Sequence, residues 1–241
     1  MYEKKKIDEL LNQYNKRYYE VYNFESLSSK DISSSTSLFE ELSIKNRNPI
    51  PRRLEVLCIV GGLPFEEVFT NKIVELQKRI GSVLNGKLNY LVEPQNLAVE
   101  VLVLKWPNND FNQDIIVNAK KEMIKINKKK FKLISHGFQF HQDGAIILRC
   151  IDDPNNLRIL REELKQKISS LPQKQSSWCH IPLGRILEPL DKKVLNELIE
   201  LADYSQINFK HKTEVNKFHL IKEKRWYQLE RETLCTIDLS N

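Results

Sequence analysis

From Arg52 onward, short apolar runs rich in β-branched residues alternate with longer segments of helical period, and this alternation restricts the chain to a mixed α/β fold. Leu54 to Val60 is such a run, ends at Gly61-Gly62, and predicts a strand. Phe65 to Ile80 follows with Val68, Ile73, Val74, Leu76 and Ile80 on a helical repeat and Gly81 as the expected stop. Strands are expected at Leu88 to Val92 and Leu97 to Leu104, then a helix from about Asp110 to Ile126. Phe131 to Phe140 and Ala145 to Ile151 predict a hairpin, since Gln142-Asp143-Gly144 between them carries an Asp-Gly turn pair. A similar order then recurs. A helix opens at Asp153-Pro154 and runs through Leu157, Leu160, Leu164 and Ile168, a strand covers Trp178 to Leu187, and a helix covers Asp191 to Ala202. Short strands are expected at Phe209 to Thr213, Phe218 to Ile221, Tyr227 to Leu229 and Leu234 to Ile237. The expected fold is therefore α/β of the α+β kind: two pseudo-symmetric lobes, each an antiparallel-rich sheet with outer helices, around a central cleft.

Residues 1–51 read as an N-terminal helical extension and linker, and 52–241 as the bilobal domain. Ile7, Leu10, Leu11, Tyr14, Tyr18 and Val21 recur mostly at three- and four-residue steps, which predicts an amphipathic helix over residues 2–22 able to dock a protein partner. The serine-rich stretch from Glu25 to Ser37 reads as a linker or loop.

The chain is long enough, at 241 residues, to bury a substantial core, and 41% hydrophobic with 29% charged residues is ordinary for a globular protein. No apolar run approaches the ~20 residues of a membrane span, and Met1 to Asp8 has no apolar secretion segment, so a cytoplasmic location without membrane contact is expected. Cys58, Cys150, Cys179 and Cys235 lack the short spacing of a zinc site and read as reduced core residues; no metal and no cofactor are expected. A net charge of +6 permits an anionic partner. Lysines cluster at Lys120, Lys121, Lys125, Lys128, Lys129, Lys130 and Lys132, and basic residues again at Lys210, Lys212, Lys217, Lys222, Lys224 and Arg225; a solvated face explains either cluster better than nucleic acid, which the charge permits.

The chemistry concentrates at Ser177-Trp178-Cys179-His180-Ile181-Pro182-Leu183-Gly184-Arg185-Ile186-Leu187. In an extended chain Cys179, Ile181 and Leu183 share one face and His180 and Pro182 the other, so an apolar strand displays one imidazole.

This segment, with the paired layout around it, resembles the two-histidine (2H) phosphoesterase superfamily, which includes RNA 2',3'-cyclic phosphodiesterases also called 2'-5' RNA ligases. The resemblance spans roughly Arg52 to Leu239 and implies two α/β lobes around a cleft, each offering a His-x-Thr/Ser strand motif. It also implies a reaction in which one imidazole takes a proton and the other gives one, while hydroxyls two residues on hold the phosphate. By that similarity the first motif falls at Asn96 to Leu102, with Ala98 where a histidine belongs and Glu100 where a hydroxyl belongs; in the second, Pro182 replaces the hydroxyl residue. Only His180 of the four groups is kept. The resemblance therefore implies a degenerate first motif, with His180 and Glu100 as candidate catalytic residues and Pro182, Arg185, Ala98 and His141 as candidate ligand-binding positions.

His136 and His141 stand near the hairpin turn with opposite parity, so in a regular strand at most one faces the cleft. His211 and His219 read as solvent-facing, and Trp106, Trp178 and Trp226 as aromatics able to stack on a base. Three functions fit these readings: binding of RNA ends, nucleotides or another phosphorylated ligand without the standard catalysis; an active phosphodiesterase in which His180 works with a substitute such as Glu100 or His141; and a protein-interaction module acting through the N-terminal helix.

Overall fold

The computed structural model of the protein describes residues 22, 24–110, 113–126, 130–153 and 155–240. The helix expected over residues 2–22 lies outside the described residues, apart from Tyr22. Two antiparallel sheets organise the rest. Strands β1 (Arg53–Gly61), β3 (Val99–Lys105), β8 (Lys217–Arg225) and β9 (Glu230–Asp238) form one sheet in the order β3-β1-β8-β9. Strands β2 (Asn89–Leu91), β4 (Phe131–Phe140), β5 (Ala145–Asp153), β6 (His180–Ile186) and β7 (Lys210–Val215) form the other in the order β2-β6-β5-β4-β7. The short helices α1 (Ser33–Thr36) and α2 (Glu41–Lys45) precede the first sheet, and α3 (Glu67–Val83), α4 (Asp114–Lys125), α5 (Asn156–Lys167) and α6 (Lys192–Asn208) follow individual strands.

Each sheet has one face against helices and one without them. In β1, Leu57 and Ile59 enter the main core, whereas Val56, Cys58 and Val60 join Leu63, Ala98, Val103 and Ile221 in a smaller apolar cluster that takes no residue from α3 to α6. In β6, Ile181 and Leu183 are fully buried in the main core, as is the preceding Cys179, so the alternation expected around His180 is the one found. The helices complete the main core with periodic apolar faces. α3 contributes Phe69, Ile73, Leu76 and Ile80, each of which contributes about 1.5–3 kcal/mol by leaving water. α6 starts cleanly because the Asp191 side chain accepts from the Val194 N–H at 3.1 Å, a cap of about 1 kcal/mol.

Four boundaries differ from expectation for packing reasons. Gly81 does not end α3, because the stripe continues to fully buried Leu84. α6 runs past Ala202 to Asn208 because Ser205 is also buried and bonded, accepting from the Phe138 N–H and donating to the Ala202 carbonyl. Tyr227 to Leu229 is not a strand: residues 226–228 form a 3-10 turn in which Tyr227 and Gln228 take left-handed backbone angles, φ 61° and 58°. The serine-rich stretch is not a loose linker either, since Leu27 and Ile32 are buried in the main core and Leu27 bridges to Leu190.

No helix among the described residues is long and apolar enough to cross a membrane. The free cysteines Cys58, Cys150 and Cys179 are buried and Cys235 is half-buried. Much of the basic C-terminal cluster is ion-paired: Lys217 with Asp238, Lys222 with Glu55, Lys224 with Glu232, and Arg225 with Glu40 and Glu230.

Candidate functional site

His180 opens β6 on the helix-free face of the five-stranded sheet, with its ring stacked on Trp178 at 4.7 Å between centroids and 28° between planes. His141 meets the same indole edge-on at 6.1 Å, and its Nε2 lies 3.0 Å from Gln139 Nε2. Burial, with help from the charges of Arg161 and His141, holds the His180 imidazole down to about 4, only weakly opposed by the Trp178 carbonyl. The ring is therefore neutral at pH 7. Its Nδ1 is buried without a hydrogen bond of normal geometry among the described residues.

Arg161 is the residue that brings the two sheets together at this point. It lies 5% exposed on α5, and its guanidinium donates to the carbonyls of Glu100 and Val101 on β3 and of Trp178 just before β6. One planar fork thus ties the strand bearing Glu100 to the strand bearing His180. Glu100 sits on the helix-free face of β3; burial raises its carboxyl, while Arg161, the Ser176 N–H and Lys174 pull the other way without cancelling it. Ala98, just before β3, is 4% exposed within the apolar cluster around Cys58. Pro182 projects beside Ile147 of β5.

Arg185 reaches the same face as His180 because the ladder slips between Ile146 and Ile147 of β5, so that Pro182 pairs with Ile147 but Gly184 with Ile146. Its guanidinium is occupied by the Tyr227 hydroxyl at 2.7 Å, Ser35 Oγ at 3.1 Å and Asp143 at 3.2 Å. Burial opposes its charge, but Tyr227 and Asp143 outweigh burial and keep the side chain protonated.

Sequence reasoning left out Glu223, Arg161 and Arg149, and misjudged His136. Glu223 of β8 lies on the face of Val56, which it pairs, and is 6% exposed; burial and, secondarily, the charge of Glu100 push it up to about 7 although its Oε1 accepts the Gln228 N–H at 2.7 Å. The signal for Arg161 was present: it occupies the apolar stripe Leu157, Leu160, Leu164 of α5. Arg149 of β5 is the third, and His136 was misplaced by the parity argument. β4 is not regular, because Ser135 pairs with Cys150 but Phe138 with Leu148, and Gly137 at φ 66° is the extra residue. His136 precedes the bulge and His141 follows it, so both lie on the helix-free face; the expectation that at most one could do so fails for that reason. Burial, then Arg149 and Lys210, hold His136 down to about 4.

His211 and His219 are not simply solvent-facing. His211 stacks on Phe69 at 5.2 Å, and His219 Nδ1 lies 3.0 Å from Thr236 Oγ1. Trp106 and Trp226 pack at 6.4 Å beside the small apolar cluster of the four-stranded sheet. A cavity of about 430 Å³ between α3 and α6 contains none of the predicted site residues. Among the described residues no group of three His, Cys, Asp or Glu side chains is placed to hold a metal ion.

Against solved structures the arrangement is known. LigT of E. coli, solved with 3'-AMP, superposes with a TM-score of 0.55 at 12% identity, covering 78% of this chain and 99% of that one. The chain has the 2H phosphoesterase fold. TT0787 of Thermus thermophilus matches with a TM-score of 0.53 at 15% identity, over 76% of this chain and 97% of that one. A conserved protein of unknown function, ATU0111 of Agrobacterium tumefaciens, matches with a TM-score of 0.56 at 10% identity, over 76% and 86%. No family model and no curated protein matches the chain by sequence.

Proposed function

We propose that this 2H-like fold binds a phosphorylated ligand, such as an RNA end, a nucleotide or another phosphate ester, against the His180 wall of its cleft, without the two-imidazole reaction. The observation that carries the reading is His180 itself: a neutral imidazole, stacked on Trp178, set beside the charges of Arg161 and Arg185 on the helix-free face of β6. The opposite wall repels an anion less than two ordinary carboxylates would, because burial raises Glu100 and pushes Glu223 up to about 7. Alanine at position 98 cannot move a proton, and Pro182 offers no hydroxyl. LigT of E. coli has been solved with phosphate and with 3'-AMP, which supports the same ligand chemistry here.

A second reading has its own observation. Burial raises the carboxyls of Glu100 and Glu223, the latter up to about 7, which favours a carboxyl giving a proton where the family uses imidazole, with His180 as the base. Calorimetric titration with a 2',3'-cyclic nucleotide and a nucleoside monophosphate, with chromatography for turnover, separates the two. Binding lost in His180→Ala, without product in the wild type, is the expected result. Turnover that vanishes in His180→Ala with folding intact replaces the first reading by the second, and absence of both binding and turnover sinks both.

A further inference from the structure

The cavity of about 430 Å³ between α3 and α6 is separate from the cleft, because its walls are the helices that cover the sheet face opposite His180. That volume falls in the range of small-molecule sites. Leu76 and Ser205 are buried in its lining, Leu201 and Phe209 are half-buried, and the remaining lining residues are exposed. Three cations, Lys72, Arg79 and Lys210, stand there against one carboxylate, Glu75. Steps of three and four residues put Lys72, Glu75 and Arg79 on one face of α3, and Glu75 and Arg79 have the spacing at which a helix usually pairs opposite charges. They do not pair. The Arg79 guanidinium lies instead over the Tyr204 ring of α6, 5.8 Å from its centroid. Among the described residues Lys72, Glu75, Arg79 and Lys210 form no ion pair. Tyr204 is 50% exposed, so an aromatic face stays open to solvent beside these cations.

We infer that this groove binds a small organic anion with a flat apolar body, such as an aryl carboxylate, held between α3 and α6 by Arg79 and Lys72 and packed against Tyr204. Charge complementarity selects the anion, since the lining holds more cations than carboxylates and the helical pairing that would quench Arg79 is not made. The flat body follows from the planar guanidinium and the tyrosine ring, which offer stacking surfaces next to the apolar edge of Leu76, Leu201 and Phe209. Glu75 limits the ligand to one or two negative charges, because a polyanion would bring further charge against its carboxylate. The site makes no use of His180, so it stands apart from the phosphoryl reading of the cleft.

The test titrates the full chain with 2-naphthoate, by calorimetry and by the amide resonances of α3 and α6, beside 2-naphthylmethylammonium as a cation of the same shape. Naphthoate binding is expected to weaken about fivefold in Arg79→Gln and Tyr204→Ala and about threefold in Lys72→Gln. These side chains are exposed, so the fold survives their replacement. Lys78→Gln, at an exposed position of α3 outside the groove, and His180→Ala should each leave binding within about twofold of wild type. Equal binding of the ammonium probe overturns the anion assignment, and equal losses in Lys78→Gln and Lys72→Gln overturn the groove as the site. Loss in His180→Ala with Arg79→Gln unaffected puts the probe in the cleft, which overturns this site and leaves the phosphoryl reading standing. Binding of a glutamate-rich peptide without naphthoate binding overturns the small-molecule assignment in favour of an acidic protein partner, and binding of neither overturns the site.

Discussion

Replacing Arg161 by methionine tests whether one guanidinium both joins the two sheets and sets the charge state of the site. Methionine fills a similar volume but leaves the carbonyls of Glu100, Val101 and Trp178 without their donor. The Trp178 carbonyl keeps a bond from Ser176 Oγ at 3.2 Å, so the loss falls mainly on the other two. A buried acceptor left unmade costs about 1–3 kcal/mol, which puts the whole substitution at about 3–5 kcal/mol after partial relaxation. Urea unfolding should show this as a lower midpoint at an unchanged slope. The same variant removes the largest nearby positive charge acting on His180, so the imidazole titration point moves up from about 4 toward its ordinary value. Arg161→Lys keeps the charge and loses the fork, and should restore the His180 titration better than the stability. A loss below about 1 kcal/mol, or an unchanged His180 titration in Arg161→Met, would refute the bridging role.

Glu223→Gln should change the pH dependence of stability. The folded carboxyl is raised to about 7 from an unfolded value of 4.5, so its favourable contribution is whole below 4.5 and is lost as pH rises through 7. Relative to wild type, the glutamine variant gains roughly 3 kcal/mol between pH 4 and pH 8, measured by urea unfolding at each pH, and equal differences at both ends count against a protonated Glu223. Gly137→Ala forces a left-handed backbone at φ 66° and a Cβ 2.7 Å from the Gln206 nitrogen and Ser205 Oγ. A destabilisation of about 2–4 kcal/mol is expected in thermal or urea unfolding, along with a perturbed His136 resonance, and a neutral outcome would mean that the bulge is dispensable. The alternating face of β6 and the Asp143-Gly144 turn were legible in the sequence because each rests on local chemistry: period-two burial in one, the left-handed preference of glycine in the other, with Gly144 at φ 87°. The strand that carries Glu100 was legible in its apolar run, but Ala98 and Glu100 stood out as motif positions only through the resemblance.

What sequence could not supply came from irregularity and from distant partners. Two bulges, at Gly137 and near Leu183, change parity and bring His136, His141 and Arg185 to the face of His180; a glycine beside His136 hinted at the first, but a slip in a ladder depends on the partner strand. The raised carboxyl of Glu223 comes first from burial and then from the charge of Glu100, more than a hundred positions away, and no local pattern announces either. The turn at Tyr227 and Gln228 reads as a strand by composition, yet takes two left-handed residues to set the Gln228 N–H on Glu223 and the Tyr227 hydroxyl on Arg185.

The docking of the serine-rich stretch onto the hairpin tip bears on how the chain can be dissected. Asp31 accepts from Gln142 at 3.1 Å, Ser35 donates to the Asp143 carbonyl, and Arg185 reaches Ser35 Oγ as well as Asp143. A deletion of residues 1–50, made to ask whether the N-terminal region recruits a partner, would also strip Arg185 of one of its anchors and expose Leu190 where Leu27 now bridges it. Loss of ligand binding in such a truncation would then report on the cleft as much as on recruitment. A cut placed before Glu25 leaves these anchors in position, and comparing the two truncations separates the roles.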